Sequence, residues 1–433
     1  MKYIIFGGGP CGMRLADNLS DQGYQVELYE KKDKLGGCWK VDWKDGYYTE
    51  HSPRVMTTNY KKVIKLAEEL QLEDPFRPVY GSKLESTWMF LKYALANLSF
   101  LDTLKFNYSL FFINRLDPRY LQEWMEENNI TTQGKRAIRN LSLSLQNRPE
   151  ETSAYCFFNA ISESFGKTEF IQFRESDEWL KRWEEKISKK KNVKIYKNSS
   201  ITNLVSRGKK IIYANTNKGR IYGDVFVCAF PLWNFQEMIK KCDQVNIKNN
   251  WLPEKQFIDY CKKSSYSGIG VQLHFKQKLD LDLSWCQTCF ADFGIIMLEV
   301  SKFNDNFTKK KGIKTVLSCA LVDFTVKSKR LDKKLVKMTY EEIGEEVLYE
   351  LNQTTGLKLK PEAITVNVDF NRKGHWELRE SAFNAPLGAL PPKGNKINNL
   401  YIAGCQNYYE IAVLDGALRA ADDLADTFKK INI

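Results

Sequence analysis

Residues 6–12 read FGGGPCG, and residues 29–40 read YEKKDKLGGCWK. The first stretch follows a short apolar run, Lys2–Phe6, and precedes Cys11–Gln22, whose apolar spacing predicts a helix. Gln25–Tyr29 then reads as a second strand that closes in Glu30. Strand, glycine turn, helix and strand make a βαβ opening of the kind that builds a parallel sheet. Gly7, Gly9 and Gly12 match G-x-G-x-x-G inside that opening. Gly7 permits the tight turn, Gly9 lets backbone approach a pyrophosphate, and Gly12 lets the helix pack closely on the strand. The helix N-terminus offers partial positive charge to phosphates. Glu30, eighteen residues past Gly12, is placed to accept hydrogen bonds from ribose hydroxyls. The spacing predicts a dinucleotide site.

The glycine pair Gly36–Gly37 decides which dinucleotide. A nicotinamide cofactor has no need of a second glycine turn so soon after Glu30. FAD lies extended, and a second close approach of backbone beside its pyrophosphate and ribityl is useful. The order GxGxxG, acid, GG resembles the fingerprint of FAD-binding flavoproteins. The resemblance implies noncovalent FAD, with Cys38 and Trp39 beside it directly after the pair.

Two flavoprotein families compete. GGCW, residues 36–39, resembles the GG-x-W of flavin monooxygenases, but those enzymes carry a second GxGxxG turn for NADPH. The nearest candidate here, Ser267-Gly268-Ile269-Gly270, lacks the third glycine and a following helix. The better resemblance is to the superfamily of protoporphyrinogen oxidases, phytoene desaturases and monoamine oxidases, in patches over most of the chain. GYYTEHSPRV, residues 46–55, puts Glu50, Pro53 and Arg54 where that family has an acid and Gly-Pro-Arg, with Ser52 in the usual glycine position. Residues 192–231 resemble the family's return to the FAD domain, which implies that backbone near Ile201 passes the adenine. NNLYIAGCQNYYEIAVLDGALRAADDLADTF, residues 398–428, resembles its closing strand, loop and helix. There Gly404 and Cys405 are expected beside the ribityl, and Ala412, Val413 and Gly416 across the isoalloxazine. The last helix would aim its positive end at the flavin N1–C2=O edge. Cys38 departs from the arginine common after the glycine pair, and Cys405 from a frequent aspartate. Members with covalent flavin use a cysteine further upstream of this strand, so Cys405 is not expected to be an attachment point.

The expected fold is therefore α/β: a Rossmann-like FAD-binding domain assembled from distant segments, with an inserted α+β substrate domain. Residues 1–60, 190–240 and 395–433 would form the first, and residues 61–189 and 241–394 the second.

Composition narrows the partners. The 433 residues are 43% hydrophobic and 27% charged, ordinary for a soluble globular chain. A net charge of +12 invites a nucleic-acid reading, but the lysines fall in short runs such as 186–194, 308–314 and 326–337, with no nucleic-acid fold around them. The ten cysteines are irregularly spaced, and the one CxxC, Cys286–Cys289, has no second ligand pair for zinc, so no metal is expected. Residues 88–106 carry Lys92, Asp102 and Lys105 and read as a buried or amphipathic helix rather than a membrane span. With no leader-like apolar region at the start, a cytoplasmic location is expected.

The resemblance implies an oxidoreductase that dehydrogenates a small apolar or aromatic organic substrate by hydride transfer to flavin N5, with reoxidation by oxygen or another acceptor. Monoamine oxidases hold a lysine near N5; alignment of the strand that carries it puts Gly270 there. An aromatic amine cage would have to come from Tyr408, Tyr409, Trp376 or Phe383. Of the three histidines, His51, His274 and His375, the one on a strand facing the substrate domain, His274, is the candidate for proton transfer. Alternatives are an amine oxidase, a flavin-dependent isomerase like the sugar-nucleotide mutases, an NADPH-consuming hydroxylase, and a noncatalytic flavin-binding structural protein.

Overall fold

The computed structural model describes residues 1–79, 97–116, 119–145, 148–164, 169–175, 177–266, 269–279, 281, 293–304, 307, 312–323, 326–367, 369–370, 376–377, 382–383, 389–408 and 414–431. Lys2–Phe6 is the central strand of a five-stranded parallel sheet. Gln25–Tyr29 and then Val193–Tyr196 lie on one side of it, Val225–Cys228 and then Leu400–Ile402 on the other. Residues far apart in sequence thus build one sheet, and the chain α/β architecture is the expected one. Both faces of the central strand are buried, as parallel strands require. Tyr3 and Ile5 join the side packed by the helices Pro10–Asp21, Glu178–Ser188 and Leu414–Ile431. Ile4 and Phe6 join the opposite side with Phe226, Phe235 and Trp251.

The order of strands reverses beside Lys2–Phe6, and in such sheets ligands bind in the crevice at the carboxyl ends of the strands flanking that point. Those ends lead here into Gly7, Glu30 and Ala229. A meander of Ile201–Arg207, Lys210–Thr216 and Gly219–Ile221 links the outer strand back to Val225–Cys228.

A second layer is an antiparallel four-stranded sheet in the order Ile295–Glu299, Thr315–Leu321, Ile269–Phe275, Ala363–Asn367. Its strand IGVQLHF has period-two faces. Ile269, Val271, Leu273 and Phe275 pack with Ile343, Val347 and Leu351 of the helix Tyr340–Thr355. Gly270, Gln272 and His274 take the other face, toward residues 47–51. The helix Phe100–Phe111, which overlaps the stretch 88–106 only over residues 100–106, buries Asp102, Phe106 and Ser109 and turns Phe100, Leu101, Leu104, Tyr108 and Phe111 outward; residues 88–96 of that stretch lie outside the described residues. No helix of the described residues is long and apolar enough to cross a membrane.

Candidate functional site

Two glycine turns interlock at the carboxyl end of the parallel sheet. Gly36 N donates to Gly8 O at 2.8 Å, and Gly37 sits against Gly9, where a Cβ on Gly37 would meet Gly9 Cα at 3.1 Å. Gly36 and Gly37 have φ of 111° and 55°, a region that other residues adopt only with strain. A Cβ on Gly12 would lie 1.9 Å from Gly7 O, so the helix can close on the turn only without a side chain there. The second glycine pair is the far wall of the first turn. That answers why the chain repeats glycine six residues after Glu30.

Glu30 is buried at the strand end. Its Oε2 accepts from Gly8 N at 2.7 Å and its Oε1 from Lys32 N at 2.9 Å, so the carboxylate also braces the turn. Gly8, which the motif leaves unspecified, is a residue the sequence reading missed. The return segment reaches the same place: Ser199 N donates to Glu30 O at 2.8 Å, and Ile201 begins the meander two residues on. The helix Pro10–Asp21 starts at Gly9 with Pro10 in its first turn and no side-chain cap on its N–H groups.

The cradle's outer rim is held by a cation. Arg54 Nη2 donates to Cys38 O at 3.1 Å and to Lys40 O at 2.6 Å, and its guanidinium lies 5.8 Å from the Trp39 ring centre. Trp39 packs edge-on against Trp179 at 6.0 Å. Arg54 Nε is 3.5 Å from Glu50 Oε2. Burial pushes the Glu50 carboxyl above the ordinary range, while Arg54, then Tyr48 and Ser318, oppose the shift.

From Glu50 a buried polar seam runs into the antiparallel sheet. Glu50 Oε1 accepts from Ser318 Oγ at 2.7 Å. Gln272 brackets the Glu50 backbone, accepting from its N–H at 3.1 Å and donating to its carbonyl at 2.9 Å. Thr49 Oγ1 donates to Gln272 Oε1 at 2.9 Å, and Thr365 Oγ1 to Tyr48 O at 3.0 Å. Gly270 makes the close approach possible: a Cβ there would fall 1.7 Å from Glu50 O. Gln272 and Ser318 were not singled out from sequence. The usable signal was the alternation in IGVQLHF, which puts Gly270, Gln272 and His274 on one face.

His274 sits at the inner end of this seam, fully buried. Its Nε2 lies 3.3 Å from Thr365 Oγ1, and the Tyr47 ring is 5.1 Å away. Burial lowers its pKa to about 4 against a weaker upward pull from the Tyr48 backbone, so the ring is neutral at ordinary pH. The structure brings Gly7, Gly9, Gly12, Glu30, Gly36, Gly37, Cys38, Trp39 and Arg54 together, while the contacts of His274 are with Tyr47 and Thr365.

At the closing strand, a Cβ on Gly404 would meet Gln406 Oε1 at 2.5 Å. Cys405 follows in the turn Cys405–Asn407 and neighbours the buried Cys11, whose thiol is pushed up by burial first and by Cys405 second. Gly416 is buried in the first turns of the helix Leu414–Ile431. Asp415, beside it, accepts from Lys62 N at 2.7 Å and Val63 N at 3.1 Å and so caps the helix Lys61–Glu69. Tyr408 is engaged by that last helix: Arg419 covers its ring at 3.6 Å, and its hydroxyl donates to Asp423. Ala412, Val413, Tyr409, His375 and the Cys286–Cys289 pair lie outside the described residues, as do the side chains of Trp376 and Phe383. Among the described residues no group of His, Cys, Asp and Glu is arranged to hold a metal.

A family model for flavin containing amine oxidoreductases matches residues 10–427. The chain belongs to that family. It is similar to the 4,4'-diapophytoene desaturase (4,4'-diaponeurosporene-forming) of Staphylococcus aureus, 34% identical over 65 residues, which span 14% of this chain and only 13% of that relative. Its fold is similar to an oxidoreductase from Methanosarcina mazei, with a TM-score of 0.65 at 16% identity over 98% of this chain and all of that one (100%). The cyclohexylamine oxidase of Brevibacterium oxydans IH-35A gives 0.64 at 14% identity, over 100% of this chain and 99% of its own. At these identities the likeness is one of fold.

Proposed function

We propose that the protein holds FAD noncovalently and oxidises a small apolar or aromatic organic substrate by removing a hydride. The interlock of Gly36 N with Gly8 O carries this reading, because it makes one backbone-lined cradle out of both glycine turns. When bound, the flavin supplies the hydride acceptor at N5, and oxygen or another acceptor takes the electrons onward. The chain's own residues bind and orient. Gly7, Gly9 and Gly12 with the N-terminus of Pro10–Asp21 receive the pyrophosphate, and Glu30 the ribose. Gly36, Gly37, Cys38 and Trp39 wall the cradle, with Arg54 holding its rim. Backbone near Ile201 is assigned to the adenine, and Gly404, Cys405 and Gly416 to the ribityl and ring, together with Ala412 and Val413.

His274 is assigned a packing role. A general base must reach the proton it takes, and this ring is buried behind Tyr47 and Thr365. Amine oxidation is the second reading, supported by the family itself. Against ordinary amines stands Gly270, whose α-carbon is pressed on the Glu50 carbonyl with no room for a lysine.

The purified protein should be yellow, and acid precipitation should release its flavin into the supernatant. Anaerobic bleaching against a panel then separates the readings. Conjugated or cyclic apolar compounds should reduce the flavin, while benzylamine, a polyamine or an amino acid should do so slowly. Fast bleaching by the amines restores the amine-oxidase reading. A colourless protein that cannot be reconstituted with FAD ends the flavin reading, and a yellow one that nothing bleaches leaves the noncatalytic or isomerase alternatives.

A further inference from the structure

We infer that Glu50 is a positioning residue through which the antiparallel sheet holds the cofactor cradle in shape, with Arg54 as its arm and Ser318 and Gln272 as its anchor. The inference rests on the flavin-binding reading above. The cradle's rim, Cys38 to Lys40, is only partly buried, and its short helical turn Gly37–Trp39 has no side-chain cap. Arg54 reaches across to two of its carbonyls. That cation is placed in turn by its ion pair with Glu50, which is 2% exposed and accepts a hydrogen bond from Ser318, 0% exposed, on the strand Thr315–Leu321. Gln272, from the adjacent strand, grips the Glu50 backbone by both its N–H and its carbonyl. The line Ser318, Glu50, Arg54, Cys38 and Lys40 therefore connects the layer expected to face substrate with the wall expected to face cofactor. The links from Ser318 to Arg54 are polar contacts in a buried place and those to Cys38 and Lys40 are partly buried, so losing one partner leaves the next without its charge or hydrogen bond. A substitution at Ser318, which touches no part of the glycine cradle, should be felt there.

The test measures FAD binding to the apoprotein by quenching of flavin fluorescence, and thermal unfolding of the same apoprotein without FAD. The set is wild type, Ser318→Ala, Glu50→Gln, the double variant, and Ser328→Ala as a control. Ser328 makes the equivalent buried bond to another acid, Glu346, with no connection to the cradle. Glu50→Gln should bind FAD about tenfold more weakly, and Ser318→Ala several-fold more weakly. The double variant should be no weaker than Glu50→Gln alone, because both act through one contact line. Ser328→Ala should lower the unfolding temperature and leave affinity unchanged. Unchanged affinity in Ser318→Ala, additive losses, or an equal loss in the Ser328→Ala control each overturn the inference. If Glu50→Gln does not fold, Ser318→Ala against Ser328→Ala decides alone. Wild type that binds no FAD fails the parent reading instead.

Discussion

The glycine cradle and the polar seam behind it make opposite demands on sequence. In the cradle the backbone is the working surface, so the residues that matter are those without side chains. Gly7, Gly36 and Gly37 adopt positive φ, and Gly12 closes on Gly7 O. In the seam the working surface is a chain of side-chain partners, Glu50, Ser318, Gln272, Thr49 and Thr365, drawn from four separate stretches of chain. A cradle is specified locally, within about one βαβ unit. A seam is specified by what the fold brings to it. Gly270 bridges the two kinds: it is a glycine for reasons of space, at a site set by a strand from elsewhere.

The comparison is most exposed at Gly270. Gly270→Ala drives a methyl into the Glu50 carbonyl, and overpacking against backbone should destabilise the fold by about 3 kcal/mol. Urea unfolding of the two proteins gives the number. A loss under about 0.5 kcal/mol would mean that the seam yields easily, and that tightness is not what puts glycine there.

His274 tests the seam by charge. Its pKa of about 4 in the folded protein lies below the value near 6.5 of an exposed histidine. As pH falls the unfolded chain takes the proton first. The stability that neutral His274 contributes is therefore complete above about pH 6.5 and drains away on the way down to pH 4, by up to about 3 kcal/mol. His274→Gln should flatten the fall in unfolding free energy between pH 7.5 and pH 4.5 by about 2 kcal/mol or more relative to wild type. Parallel slopes would show that the ring is not held neutral. A kcat that collapsed in this variant at pH 7.5, with the fold intact, would return His274 to the chemistry.

On the cradle side, Glu30→Ala removes the proposed partner of ribose and should weaken FAD binding roughly ten- to a hundredfold, about 1.5–3 kcal/mol. From sequence alone little effect on folding was to be expected. The bonds from Gly8 N and Lys32 N predict an added loss of apoprotein stability near 1 kcal/mol, readable as a lower unfolding temperature without FAD. Unchanged affinity would remove Glu30 from the ribose assignment.

Much of the cradle was legible because its rules are short-range. Glycines at fixed spacing, an acid at a strand end and a buried apolar run each carry their reason within a few residues of themselves. The alternation of Tyr3 and Ile5 with Ile4 and Phe6 across two cores was likewise implicit in an unbroken apolar strand. The first helix, expected over Cys11–Gln22, runs Pro10–Asp21, a shift of one residue at each end, whereas the stretch 88–106 meets the helix Phe100–Phe111 only over residues 100–106.

What the amino-acid order determined by itself was the βαβ opening and the doubled glycine turn, since φ preferences and the missing side chains of glycine are properties of the residue. Tertiary structure alone decided that Gly36 N would bond Gly8 O, that Gln272 would bracket Glu50, and that His274 would be fully buried against Tyr47. A buried side chain's chemistry depends on partners contributed by other segments and on the water they exclude. Glu50 and Ser318 stand 268 positions apart, and no local pattern in either segment encodes the hydrogen bond between them.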